Sequence, residues 1–329
     1  MTLGNLDRVL DTLREAEILA EALGDQRRLG SVCAYLAGSY CLAGDMERAL
    51  AVGQRGLALS EATGDVAFQM MGALYLGLGY HALGEYPRAL EYLRRAIATL
   101  GGARFPERFS PRGGWLPAVL VRTYGVWCLA ETGAFAEGHA WGAEAVRIAA
   151  AVDTPYTRIQ TCFGVGYLAL CQGDLPQAVS MLERGFELCR TVDIQLWLPL
   201  LAWALGVAYA RSGRVSEALP LLEHAVAQEV AMGLVVYQSP LLASLSEALL
   251  LGERQEEALS LAERALVLAR TYRVRGWEAY ALWLLAKIAA HREPPAAQEA
   301  EAYYRHRPVP RHGDDFLATS GGGNAGAGG

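Results

Sequence analysis

Only one lysine, Lys287, stands among the 29 basic residues of this 329-residue chain, so chemistry that needs a lysine has a single place to be. A phosphate-binding loop ends Gly-Lys-Ser/Thr, whereas Lys287 lies between Ala286 and Ile288, which excludes that mode of holding a nucleotide. Paired cysteines are lacking too. Cys33, Cys41, Cys128, Cys162, Cys171 and Cys189 form no C-x-x-C and are scattered through apolar segments, the pattern of reduced, mostly buried thiols in the cytoplasm. None of His81, His139, His224, His291, His306 and His312 makes H-E-x-x-H or meets a cysteine at zinc spacing, and no G-x-S-x-G elbow occurs. The many Asp and Glu residues fall at helix starts and polar faces, where they cap or are solvated. The chain is therefore expected to be no enzyme, with no metal and no cofactor.

A basic excess is also missing. With 35 acidic residues against 29 basic ones the net charge is −6, which offers no general attraction to nucleic acid or to an anionic membrane surface. Asp7, Arg8, Asp11 and Arg14 interrupt the start before any secretory apolar stretch can form. Two uncharged runs of 17 residues, Ile194–Ala210 and Val230–Ser246, each carry a proline and a glutamine and are short for a bilayer. Both are expected to be buried helix. Against these absences stands a 53% hydrophobic content, enough for a large core.

What the chain does have is a period. Glycine-centred turns recur at Gly4, Gly44, Gly84, Gly133, Gly173, Gly213 and Gly252, separated by 40, 40, 49, 40, 40 and 39 residues. About midway come second breaks at Gly24-Asp25, Gly64-Asp65, Val152-Asp153, Val192-Asp193 and Gly233. The segments between are rich in Ala, Leu, Glu and Arg, with apolar residues at three and four spacings, as in the stripe Ala89, Leu90, Leu93, Ala96, Ile97 and Leu100. Glycine supplies a left-handed C-cap and the following acid caps the next helix. Each repeat is then a helical hairpin that cannot bury its apolar faces alone, so hairpins stack. The expected fold is all-α, a right-handed α-solenoid of antiparallel helix hairpins.

Small residues recur at fixed depth: Ala37, Gly77, Gly166 and Gly206 seven before the turn glycine, and Ala49, Ala89, Ala178 and Ala218 five after it. With Leu76-Gly77, Tyr80, Gly84-Glu85-Tyr86, Ala89, Leu93 and Ala96, the sequence resembles the tetratricopeptide repeat, although the period is about 40 and no copy carries the consensus tryptophan and proline together. Phrases such as 20–29, 213–223 and Glu301-Ala302-Tyr303-Tyr304-Arg305 resemble the C-terminal repeats of bacterial class III adenylate or guanylate cyclases with an ATPase module, and of maltose-regulator-like activators. The likeness spans about 3–305 and concerns the repeat module. It implies a non-catalytic interaction or regulatory scaffold whose partner is a protein or peptide segment, or the signalling domains that would precede Met1. A free-standing adaptor and an effector-sensing domain are the alternatives.

The expected organisation is a half-repeat at 1–24, six full repeats over 25–272, an incomplete repeat at 273–305, an inserted loop at 101–114 and a disordered Gly/Ala-rich tail at 306–329. Because the Pro308-Val309-Pro310 stop falls inside a helix that should run on, a truncated gene with an out-of-frame end is expected. In the loop, Arg104, Arg108 and Arg112 recur beside Phe105 and Phe109, as an anion- or partner-docking lip or as a plain insertion. Repeat register places Tyr35, Tyr75, Tyr124, Trp127, Phe163, Tyr167, Trp203 and Trp283 towards the concave side or the adjoining helix seam. As partner anchors they should be partly exposed; as core they should not. The candidate face comprises Tyr75, Tyr124, Trp127, Phe163, Tyr167 and Trp203. No counterpart of a basic clamp exists, so an acidic C-terminal peptide is not the expected ligand.

Overall fold

The computed structural model describes residues 6–100 and 117–305, apart from 193, 195 and 293–295. The loop carrying Arg104, Arg108 and Arg112 and the tail from 306 onward lie outside the described residues. Among the described residues there are fifteen helices and no strand. In chain order they are α1 (Leu6–Ala22), α2 (Gln26–Leu42), α3 (Met46–Ala62), α4 (Val66–Ala82), α5 (Tyr86–Leu100), α6 (Pro117–Glu131), α7 (Phe135–Val152) and α8 (Pro155–Gln172). They continue as α9 (Leu175–Thr191), α10 (Leu198–Arg211), α11 (Val215–Met232), α12 (Gln238–Leu251), α13 (Gln255–Thr271), α14 (Arg275–Ala290) and α15 (Ala297–Arg305). Each even-numbered helix pairs with the odd-numbered one after it, and the even-numbered helices also pack on one another from α2 to α14. This is an α-helical solenoid.

The turns explain the boundaries. Asp25, Asp45, Asp65 and Asp174 each accept a backbone N–H three residues on, from Arg28, Arg48, Phe68 and Gln177. The glycine before each takes the left-handed conformation, with φ +76° at Gly44 and +81° at Gly173, as do Gly84 at +75° and Gly213 at +79° in the equivalent turns. Gly252 departs from the series: its φ is −89°, and Glu253 holds the left-handed position at +63°, because the turn is as long as the others and its glycine stands one position before the left-handed slot.

Packing between the two helices of a hairpin rests on paired sizes sixteen residues apart. A Cβ at Gly77, Gly166 or Gly206 would come within 2.8, 2.7 and 2.7 Å of Leu93, Leu182 and Leu222 respectively. In the first full hairpin the order is exchanged, Ala37 facing Gly53. The glycine-rich stretch Gly77-Leu78-Gly79 is thus a close helix contact inside α4.

The even-numbered helices are buried nearly all round. Every residue from Leu198 to Ala210 in α10 is buried, as is every residue from Ser239 to Leu249 in α12. A helix that is apolar on all sides needs a covering on all sides. Odd-numbered helices such as α13 bury only a stripe, Ala258, Ala262, Ala265, Leu266 and Ala269. Of the two uncharged runs, Ile194–Ala210 leads into α10, whereas Val230–Ser246 is not one helix but the end of α11, a linker and the start of α12. No described helix is long and apolar enough to cross a membrane.

Candidate functional site: the inner face

What covers the even-numbered helices is the solenoid itself. The N–H of Val235, in the linker before α12, donates to the carbonyl of Leu42 at the end of α2, 3.0 Å away and 193 residues earlier. The Tyr272 ring lies against the Gly44 turn, the Tyr86 hydroxyl meets Gly276, and Arg275 reaches Glu85 at 3.8 Å. The turns closing the first two full hairpins therefore rest on the linkers leading into α12 and α14, and the inner face is closed over.

Aromatic side chains fill the enclosed space. Trp127 on α6 is 1% exposed and lies against Phe163 at 5.2 Å, Tyr167 at 5.6 Å, Trp203 at 5.8 Å and Tyr237 at 5.7 Å. Tyr124 stacks on Trp127 at 6.0 Å, and Trp203 meets Trp277 edge-on at 5.7 Å. The structure thus brings five of the six candidate residues, Tyr124, Trp127, Phe163, Tyr167 and Trp203, into one interior cluster. Tyr75 is half-buried against the same core, and its ring presses on Gly38. The expectation of partly exposed anchors is corrected for Trp127, Phe163, Tyr167 and Trp203, all buried, because rings from neighbouring hairpins, and Tyr237 over Trp127, pack against them. Tyr75 and Tyr124 remain half-buried. Tyr35 is 47% exposed and Trp283 is partly buried.

A polar network runs beside these rings. One Glu131 oxygen accepts from Trp127 Nε1 at 2.6 Å and the Tyr167 hydroxyl at 3.2 Å, and the other lies 2.8 Å from His81 Nε2. Farther along, Glu247 accepts from Arg211 at 3.3 Å and from the Tyr280 hydroxyl. Burial opposes the Glu247 charge, but Arg211 and that hydroxyl outweigh it and hold the carboxyl below its ordinary range. Glu229 at the end of α11 has no such compensation. It is 1% exposed, its Oε2 has no hydrogen-bond partner, and burial pushes its pKa up to about 8.

None of Glu131, Arg211, Glu229, Tyr237, Glu247 and Tyr280 is marked by the repeat pattern as an inner-face group. Arg211 and Glu131 both stand two residues before a turn glycine, which is the signal that could have found them. The network is chemically suited to fixing helices in register, since the Trp127, Tyr167 and Tyr280 donors each have a carboxylate acceptor on another turn or helix. No group of His, Cys, Asp and Glu suited to a metal ion occurs among the described residues, and the six cysteines are buried and joined in no disulfide.

Comparison with known proteins agrees on architecture. A tetratricopeptide repeat family model matches residues 76–106. The chain is a tetratricopeptide-like helical solenoid. Among solved structures it is similar to a Rap protein complexed with competence and sporulation factor, with a TM-score of 0.64 at 11% identity over 94% of this chain and 85% of that one. It is similar as well to aspartyl phosphate phosphatase F from Bacillus subtilis, with a TM-score of 0.57 at 14% identity over 87% and 72%. A signal transduction ATPase with numerous domains from Pyrococcus horikoshii, bearing a tetratricopeptide repeat sensor, matches with a TM-score of 0.54 at 13% identity over 96% of this chain and 51% of that one. At these identities the likeness shows the fold alone. No curated protein matches the sequence.

Proposed function

We propose that the chain is a non-catalytic scaffold that binds a protein or peptide segment on the inner face of its even-numbered helices. The observation that carries this reading is the inward aromatic row contributed by successive repeats, with Tyr75 and Tyr124 half-buried at its edge and Trp127, Phe163, Tyr167 and Trp203 behind them. Aromatic rings bury area with few rotors to freeze, which makes them effective anchors once the closure loosens. The reading is supported by the fold shared with a Rap protein complexed with competence and sporulation factor, and with the Rap conjugation gene regulator of plasmid pLS20 in complex with the Phr* peptide.

A second reading, a regulatory region of a larger cyclase- or ATPase-linked signalling protein, draws on the residue phrases at 20–29 and 213–223 and on the likeness to the sensor-bearing ATPase. Affinity capture followed by affinity measurement on the purified partner tests the first reading. Tyr75→Ala with Tyr124→Ala should weaken binding of that partner at least tenfold while helicity is kept. Equal binding by wild type and variant would place the contact elsewhere, and capture of cyclase or ATPase domains would favour the second reading.

A further inference from the structure

The linker 233–237 packs away from its own repeat. Leu234 and Val236 are buried in a cluster with Leu6 and Leu10 of α1, Leu36, Tyr40 and Cys41 of α2 and Met46 of α3, separate from the main core. Val235, between them, turns outward and is half-buried, while its backbone N–H reaches the Leu42 carbonyl at 3.0 Å. Tyr237 follows and stacks on Trp127. Alternate side chains buried, a backbone hydrogen bond from the residue between them and an aromatic ring where the segment turns into α12 describe how a short irregular segment docks.

We propose that the apolar pocket built by α1, α2 and α3 is a docking site for a short turn-forming segment of the form apolar, any residue, apolar, aromatic, and that Leu234–Tyr237 is its resident occupant. A partner segment of that chemistry displaces the linker and opens the inner face. This rests on the scaffold reading and adds the class of ligand and the contact it competes with. The pocket commits to such a segment because the occupant on view is uncharged, and because Leu36, at 0% exposure, belongs to the apolar cluster that Leu234 and Val236 complete.

The test uses the full chain and a labelled, end-blocked peptide copying residues 232–239. A chain with Leu234→Ser and Val236→Ser should bind it at least tenfold more tightly than wild type does, and adding Leu36→Ser should remove the binding. A scrambled peptide should bind neither. If the double variant loses helicity, Val236→Ala provides the weakened linker and the same comparison decides. Equal, absent or scramble-tolerant binding would overturn the proposal. Dimerisation of the weakened chain that the peptide does not disturb would assign the pocket to a second copy and overturn it as well. Failure of the peptide with partner capture at Tyr75 and Tyr124 intact removes this inference alone, whereas loss of both removes the scaffold reading.

Discussion

A carboxyl such as that of Glu229, buried without a partner, makes folding depend on pH in a calculable direction. Its folded pKa is about 8, against an ordinary glutamate value of about 4.3 in the unfolded chain. Between those values the folded state holds a proton that the unfolded state has lost, so this group's contribution is full below about pH 4 and is lost as pH rises to about 8. Glu229→Gln should therefore gain stability over wild type by about 2–5 kcal/mol on going from pH 5 to pH 8. Denaturant melts of both chains at several pH values check it; a difference independent of pH would show that Glu229 is solvated or paired. Trp127 is the other residue with a sharp consequence. Six rings and the Glu131 carboxylate surround it, so Trp127→Ala should cost about 3–5 kcal/mol, measured by chemical denaturation. An unchanged melt would return Trp127 to the role of an exposed anchor.

Helices and turns were the most legible level, because each hairpin repeats its own local instructions. The Gly-Asp pairs at 24–25, 44–45 and 64–65 mark a left-handed residue followed by an N-cap, and the structure has both at each. Where the instruction is altered by one residue, at Gly252-Glu253, the left-handed position moves onto the glutamate, which only the turn geometry reveals. Gly84→Val and Gly213→Val should each lose at least about 1 kcal/mol through a β-branched side chain at positive φ. Glu253→Gly should move the other way, gaining about 0.5–1 kcal/mol. Thermal melts of the three variants check this, and a uniform response would mean that the turns tolerate side chains at these angles. The inner-face aromatics were legible as a set, since the repeat register brings them to one side. Their burial was not. It depends on contacts such as Trp127 with Tyr237, a helix residue and a linker residue more than a hundred positions apart, for which a 40-residue period carries no signal.

Over the whole molecule, the small rotation from each hairpin to the next adds up until the first turns meet the late linkers, and one backbone hydrogen bond, one ion pair and two ring contacts mark the meeting. This closure turns a concave surface into an interior, and it makes access to Tyr124 and its neighbours a matter of opening energy as well as contact chemistry. Purified chain is expected to show no nucleotide hydrolysis or cyclisation; turnover that persists through rigorous purification would contradict the scaffold reading. The self-closed solenoid is tested most directly by amide hydrogen exchange at Val235. This N–H lies in a linker with no helical partner of its own, and its acceptor is the Leu42 carbonyl across the closure. The closed structure predicts exchange slowed by about two orders of magnitude or more relative to an unstructured amide, since the bond must open first. Exchange at the unprotected rate, with the α11 and α12 amides still protected, would contradict it.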